Sequence, residues 1–138
     1  MHWGVEAVTY QEEYQVEVGH NLISAGADVV IGDHPHRVQG IEFYEGKPIL
    51  YSLGNYWFNG MSMDTMLAEL HISGTAEQYE MELQLIPGRQ TNCQVKYDET
   101  QEERDAFYRN METLSSAYGI SIDQNGVVTA RSNVEGEE

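Results

Sequence analysis

The residue types able to do chemistry crowd into one short segment, Asp33-His34-Pro35-His36-Arg37. Two imidazoles at alternate positions of an extended backbone point the same way, about 6–7 Å apart at the backbone. That spacing suits a clamp on one metal ion or a bridge between two, since imidazole is a common ligand for borderline cations. Pro35 fixes its own φ and biases His34 toward extended geometry, so the pair is partly pre-organised. Asp33 is placed to orient an imidazole through its second nitrogen. Two loop histidines are equally ordinary as surface residues, so spacing alone leaves both readings open. A weaker candidate is His2-Trp3-Gly4, with Glu6 and Tyr10 as nearby polar groups; its histidine is by default solvent-exposed. His20 and His71 lie on a helix pattern and a strand pattern, where packing or surface roles are usual. Ser52 lacks the Gly-x-Ser-x-Gly elbow of a hydrolase nucleophile. Cys93 has no histidine beside it, which fits a buried or idle thiol. Tyr56-Trp57-Phe58 reads as core rather than as a binding platform.

These residues need elements to position them. Tyr10 to Ala25 carries Tyr14, Val18 and Leu22 at four-residue spacing, and Gly26 follows as a left-handed stop, which predicts an amphipathic helix. Ala27 to Gly32 follows, with Val29, Val30 and Ile31 unalternated, as in a strand covered on both faces. Asp33 to Arg37 then sits just past the carboxyl end of that strand, where open α/β sheets place their sites. Val38 to Tyr44 and Lys47 to Leu53 predict a hairpin around Glu45-Gly46, broken at Gly54-Asn55. Further on the pattern turns antiparallel. Met66 to Ile72 and Tyr79 to Ile86 are strands, with Met81, Leu83 and Leu85 alternating with polar residues and Pro87-Gly88 ending the second. Gln94 to Tyr97 is a short strand and Glu99 to Ala117 a second helix. Gly119 to Thr129 forms a hairpin turning at Asn125-Gly126, and residues 132–138 form an acidic tail.

The 138 residues carry a net charge of −16, with 41% hydrophobic residues. That apolar share supports a packed core rather than disorder, and the helix–Gly–buried strand order is half of an α/β unit. The acidity argues against sequence-independent nucleic-acid binding and against docking on an anionic membrane, since both draw on Lys and Arg. No apolar run reaches the ~18 residues of a spanning helix. The single cysteine excludes an internal disulfide.

Three motifs appear in order: His2-Trp3-Gly4-Val5-Glu6, then Ala25 to His36 reading AGADVVIGDHPH, then Gly46 to Asn55 reading GKPILYSLGN. Together they resemble the CapA (PgsA) family of capsule and poly-γ-glutamate synthesis proteins, within the calcineurin-like metallophosphoesterase superfamily. The likeness is close over residues 1–60 and looser beyond. It implies the C-terminal half of a metallophosphoesterase-like αββα sandwich, spanning residues 1–131, with antiparallel strands and a C-terminal helix. It implies that His2, His34 and His36 are ligands of a two-metal centre for divalent ions of the Mn, Fe, Zn or Mg class. Asp33, Glu6 and Asn55 would line the site. The family commonly has His where this chain has Asp33. The Asp-x-His, Gly-Asp and Gly-Asn loops of the superfamily are not found here, so an N-terminal half would have to supply them as a partner. The chain alone would then lack phosphoesterase activity.

The function implied is a part in capsule or poly-γ-glutamate biosynthesis or export, by an extracytoplasmic, membrane-anchored parent acting near an anionic capsule polymer. The alternative is a non-catalytic binding or assembly module that keeps the loop as scaffold. A β1-type edge whose neighbours lie in the absent half also predicts homo-oligomerisation or another edge-covering contact.

Overall fold

The structure, a computed structural model, describes residues 1–58, 60–75 and 77–131. The predicted acidic tail, residues 132–138, lies outside the described residues. The described residues form an α/β arrangement of two helices and two sheets. Among the described residues no helix is long and apolar enough to cross a membrane.

Helix α1 (Glu13–Ser24) begins where the Gln15 side-chain oxygen accepts from the Glu12 backbone N–H. It ends in paired bonds from Gly26 to Ile23 and from Ala27 to Leu22, with Gly26 at φ +108°, a Schellman stop that favours glycine. The first sheet has the order β1-β3-β2, from β1 (Val30–Ile31), β2 (Ile41–Tyr44) and β3 (Lys47–Leu50). β1 and β3 are parallel, with Val30 opposite Ile49; β2 and β3 form the predicted hairpin around Glu45-Gly46.

β1 is shorter than the predicted strand, and only part of its run is covered. Val30 is buried with Trp3, Ile23, Ile49 and Tyr51 on the α1 side, and Val29 packs on the opposite core. Ile31 is exposed. The outer edge of β1 is not bare either. Residues 1–3 run parallel beside it: Met1 bonds to Ile31 and Asp33, and the Trp3 N–H donates to the Asp33 carbonyl. The expected bare edge, which motivated self-association, is thus covered from within the chain.

The second sheet is antiparallel: β4 (Met63–Gly74), β5 (Tyr79–Thr91), β8 (Val127–Ala130) and β7 (Ile120–Ile122) in that spatial order, with β6 (Gln94–Tyr97) also pairing β5. The alternation of β5 is as read, since Leu83 and Leu85 are buried while Glu82 faces solvent. Pro87-Gly88 does not end the strand. β5 continues to Thr91, with Pro87 opposite Met66 and its carbonyl accepting from Asp98. A proline costs a strand only its missing donor, and flanking pairs on both sides hold the register here. Helix α2 (Gln101–Leu114) is capped by Thr100, whose hydroxyl accepts from the Glu103 N–H. It lays Phe107, Tyr108 and Met111 on a core shared with Leu85, Ile120, Val128 and, from the first sheet, Ile41 and Leu50. The first sheet is therefore packed by α1 on one face and by the larger sheet and α2 on the other.

Candidate metal centre

Trp3 is the anchor of the site. Its indole N–H donates to the Tyr51 carbonyl at 2.8 Å, and this bond passes directly over Gly32. A Cβ at Gly32 would stand 2.2 Å from the indole nitrogen and 2.3 Å from that carbonyl oxygen, so no other residue fits without displacement. With Trp3 held, His2 lies beside β1 and its ring comes to 4.3 Å from the His34 ring, centroid to centroid. The outer histidine and the close pair therefore converge, although more than thirty positions separate them in sequence.

The next turn brings in Glu6. Gly4, at φ +87°, packs so closely on Pro35 that a Cβ would meet its ring at 2.9 Å. The Ala7 N–H donates to the Pro35 carbonyl at 2.8 Å. Behind this turn two fully buried amides brace the loop. Gln15 donates to Gln39, and Gln39 donates to the carbonyls of Val8 and Tyr10. Glu6, His34 and His36 are thereby brought together, with ligand atoms all within 4.8 Å of one another.

The histidine loop differs from the expected extended geometry. His34 has φ +105° and His36 φ +57°, left-handed conformations that cost a non-glycine residue on the order of 1 kcal/mol or more each. The rings still meet at 5.8 Å, but through a twisted loop whose shape Gly4, Ala7 and Asn55 impose. Asn55 is buried, and its Oδ1 lies 2.7 Å from His36 Nδ1. An amide oxygen only accepts, so Nδ1 carries the proton and Nε2 keeps its lone pair free for a ligand. The Asn55 amide nitrogen donates in turn to Met63 Sδ at 3.1 Å.

The remaining candidates are placed as follows. Asp33 is exposed and is fixed through its backbone by Met1 and Trp3, while the orienting bond on His36 comes from Asn55. Tyr56, Trp57 and Phe58 are exposed, not core; the Phe58 ring is taken up in stacking against His36 at 4.2 Å. Glu6, expected only to line the site, supplies one of its three converging donors. Phe58 reads as core in the sequence and Met63 does not stand out there, and no local pattern marks either as a neighbour of His36 and Asn55. His20 packs as expected, stacked on Tyr44 at 3.7 Å and bonded to the buried Glu42 carboxylate, which also accepts from the Tyr51 hydroxyl. Burial, and then the adjacent Glu42, push the Tyr51 hydroxyl well above the usual phenol range. Cys93 is half-buried at the β5–β6 turn, and His71 is exposed on β4.

An α/β sheet with histidines at a strand's carboxyl end, braced by an N-terminal parallel segment, is the setting in which the comparisons with known proteins fall. The family of bacterial capsule synthesis proteins PGA_cap matches residues 1–60. The PGA biosynthesis protein CapA of Bacillus subtilis is 36% identical over 74 residues, which cover 51% of this chain and 20% of that protein. The capsule biosynthesis protein CapA of Bacillus anthracis is 35% identical over 80 residues, or 54% of this chain and 20% of that protein. A probable polyglutamine synthesis accessory protein of Mycobacterium tuberculosis is 28% identical over 130 residues, 88% of this chain and 34% of that protein. Residues 1–60 are thus similar to the bacterial capsule synthesis family, and the chain spans a fifth to a third of the length of these curated relatives.

Proposed function

We propose that this chain carries part of a divalent-cation site within a protein of capsule or poly-γ-glutamate biosynthesis, with Glu6, His34 and His36 as ligands and His2 beside them. The convergence of those three donors within 4.8 Å carries the reading. The donor set fits: two imidazoles and one carboxylate suit borderline cations of the Mn, Fe or Zn type, and one imidazole already has its tautomer set by Asn55. A bound cation would act as a Lewis acid and lower the pKa of a coordinated water. The chain's own residues do the positioning. Asn55 orients His36, the Gln15–Gln39 pair holds the turn bearing Glu6, and Phe58 covers one face of His36. A hydrolytic two-metal centre needs further carboxylates, which would come from the N-terminal part of the longer relatives.

Titration calorimetry with Mn²⁺ and Zn²⁺ tests the site. A stoichiometric isotherm lost in His34→Ala/His36→Ala supports it; equal binding by that variant removes it. A second reading, a non-catalytic binding or assembly module, draws on the net charge of −16, which repels an anionic capsule polymer unless cations bridge the two. Full capsule formation by a parent protein bearing the same double variant favours that module. By family likeness the parent would be extracytoplasmic and membrane-anchored.

A further inference from the structure

Arg37 directly follows the histidine pair, yet its guanidinium has a poor partner. Its Nη1 donates to Met63 Sδ at 3.3 Å, and among the described residues it makes no ion pair. A thioether is a weak acceptor, and a guanidinium offers five N–H donors. The contrast is sharp in a chain with 23 acidic and 7 basic residues. Arg89 pairs with Asp64 at 2.7 Å, and Arg131 pairs with Glu112 at 3.4 Å. Arg37 is half-buried, so part of its hydration is lost without a counter-charge to replace it. The same sulfur accepts from Asn55, the buried amide that orients His36.

Arg37 lines an open cleft of about 470 Å³ with Thr9, Ser62, Asp64, Arg89 and Asn110. Two guanidiniums against one carboxylate leave this cleft locally cationic on a strongly acidic chain. Its other polar groups are hydroxyls and an amide, which can donate to an oxygen.

We propose that this cleft is an oxyanion-binding site, with the Arg37 guanidinium as its principal donor, for a carboxylate or phosphoryl group. The geometry favours a compact anion. A guanidinium fork matches two oxygens of one carboxylate or phosphate, and Arg89 is partly occupied by Asp64. The Asn55–Met63–Arg37 linkage sets the cleft beside the histidine loop. A ligand bound there would lie next to the candidate metal centre, but the anion site itself needs no metal and goes beyond the reading above.

The test is a two-dimensional NMR titration of the full chain, stripped of metal by chelation and dialysis, at constant ionic strength. Inorganic phosphate and glutarate serve as separate probes. The expected result is a saturable shift of the Arg37 Nε–H resonance. Affinity should fall at least about tenfold in Arg37→Gln and stay unchanged in Arg131→Gln, which lies outside the cleft, as charge-assisted bonds are the strong ones. A response to phosphate alone assigns a phosphoryl ligand, and a response to glutarate alone a carboxylate. A response to both assigns the shared oxyanion chemistry. Absence of a saturable shift with either probe overturns the proposal, as does equal affinity in Arg37→Gln. The Arg37 resonance reads out in the unsubstituted chain, so a poorly folding variant does not blunt the result. Metal-free conditions keep it separate from the cation site.

Discussion

Residues 1–58 and residues 63–131 solve different problems. The second region is regular: a long antiparallel ladder, an alternating strand and a helix with one apolar stripe. Its left-handed pair, Asn92-Cys93, only closes the β5–β6 turn. The first region is irregular where it matters. His34 and His36 hold left-handed conformations, Gly32 lies under the Trp3–Tyr51 bond, and buried amides replace apolar packing behind the loop. Strain of this kind persists only when neighbours over-determine it. The comparison teaches that the larger sheet supplies stability while the smaller one spends part of it on placing side chains.

Substitutions can break that contrast. Leu85→Ala, in the shared core, should cost about 3 kcal/mol of unfolding free energy while leaving cation affinity of the folded chain unchanged. Urea titration and calorimetry check both halves; a large loss of affinity would show that the two regions are not separable. Gly32→Ala should cost about 2–3 kcal/mol and weaken cation binding as well, because the new methyl displaces Trp3 and so His2. A red shift of tryptophan emission would accompany it, and an unshifted spectrum at full stability would contradict the anchoring role of Trp3.

Asn55→Leu should lower cation affinity roughly tenfold or more, through His36 orientation, at a stability cost of about 1–2 kcal/mol. Unchanged affinity would mean that Asn55 only fills space. The smallest effect belongs to the far region. Backbone and side-chain bonds from Thr100 hold the Glu103 carboxyl below its ordinary value of 4.5. A depressed folded-state pKa gives stability that is full above the unfolded value and fades as pH falls through the folded one. Thermal melts from pH 7 to pH 3 should therefore show a shallower acid-side decline for Glu103→Gln. An identical decline would show that the α2 cap carries no such linkage.

Much of this was legible because local rules were obeyed. Gly26 stops α1, Glu45-Gly46 and Asn125-Gly126 turn the hairpins, and Leu83 and Leu85 reveal the wet and dry faces of β5. The ordered motifs lie in residues 1–60, the stretch that the capsule synthesis family model matches. The readings that missed depend on distant parts of the chain. Pro87 is tolerated because Met66 and Asp98 pair around it. His34 escapes the bias of Pro35 because Gly4 and Ala7 pack on that proline. Tyr56 to Phe58 look like core by composition, yet they cap a loop. Arg37 had no signature, because its meaning lies in which acidic groups fail to reach it.

The pairing of Met1 and Trp3 with Ile31 and Asp33 has a thermodynamic consequence. A knuckle of ligands drawn from one continuous loop could grip an ion while the rest of the chain was disordered. Here Glu6 reaches His34 and His36 only once that parallel seam has zipped, so loading and seam closure form one equilibrium. Any ion held there would tighten the amide protons of residues 1–7 and 31–36 against exchange first, with the distant hairpins following only through global unfolding.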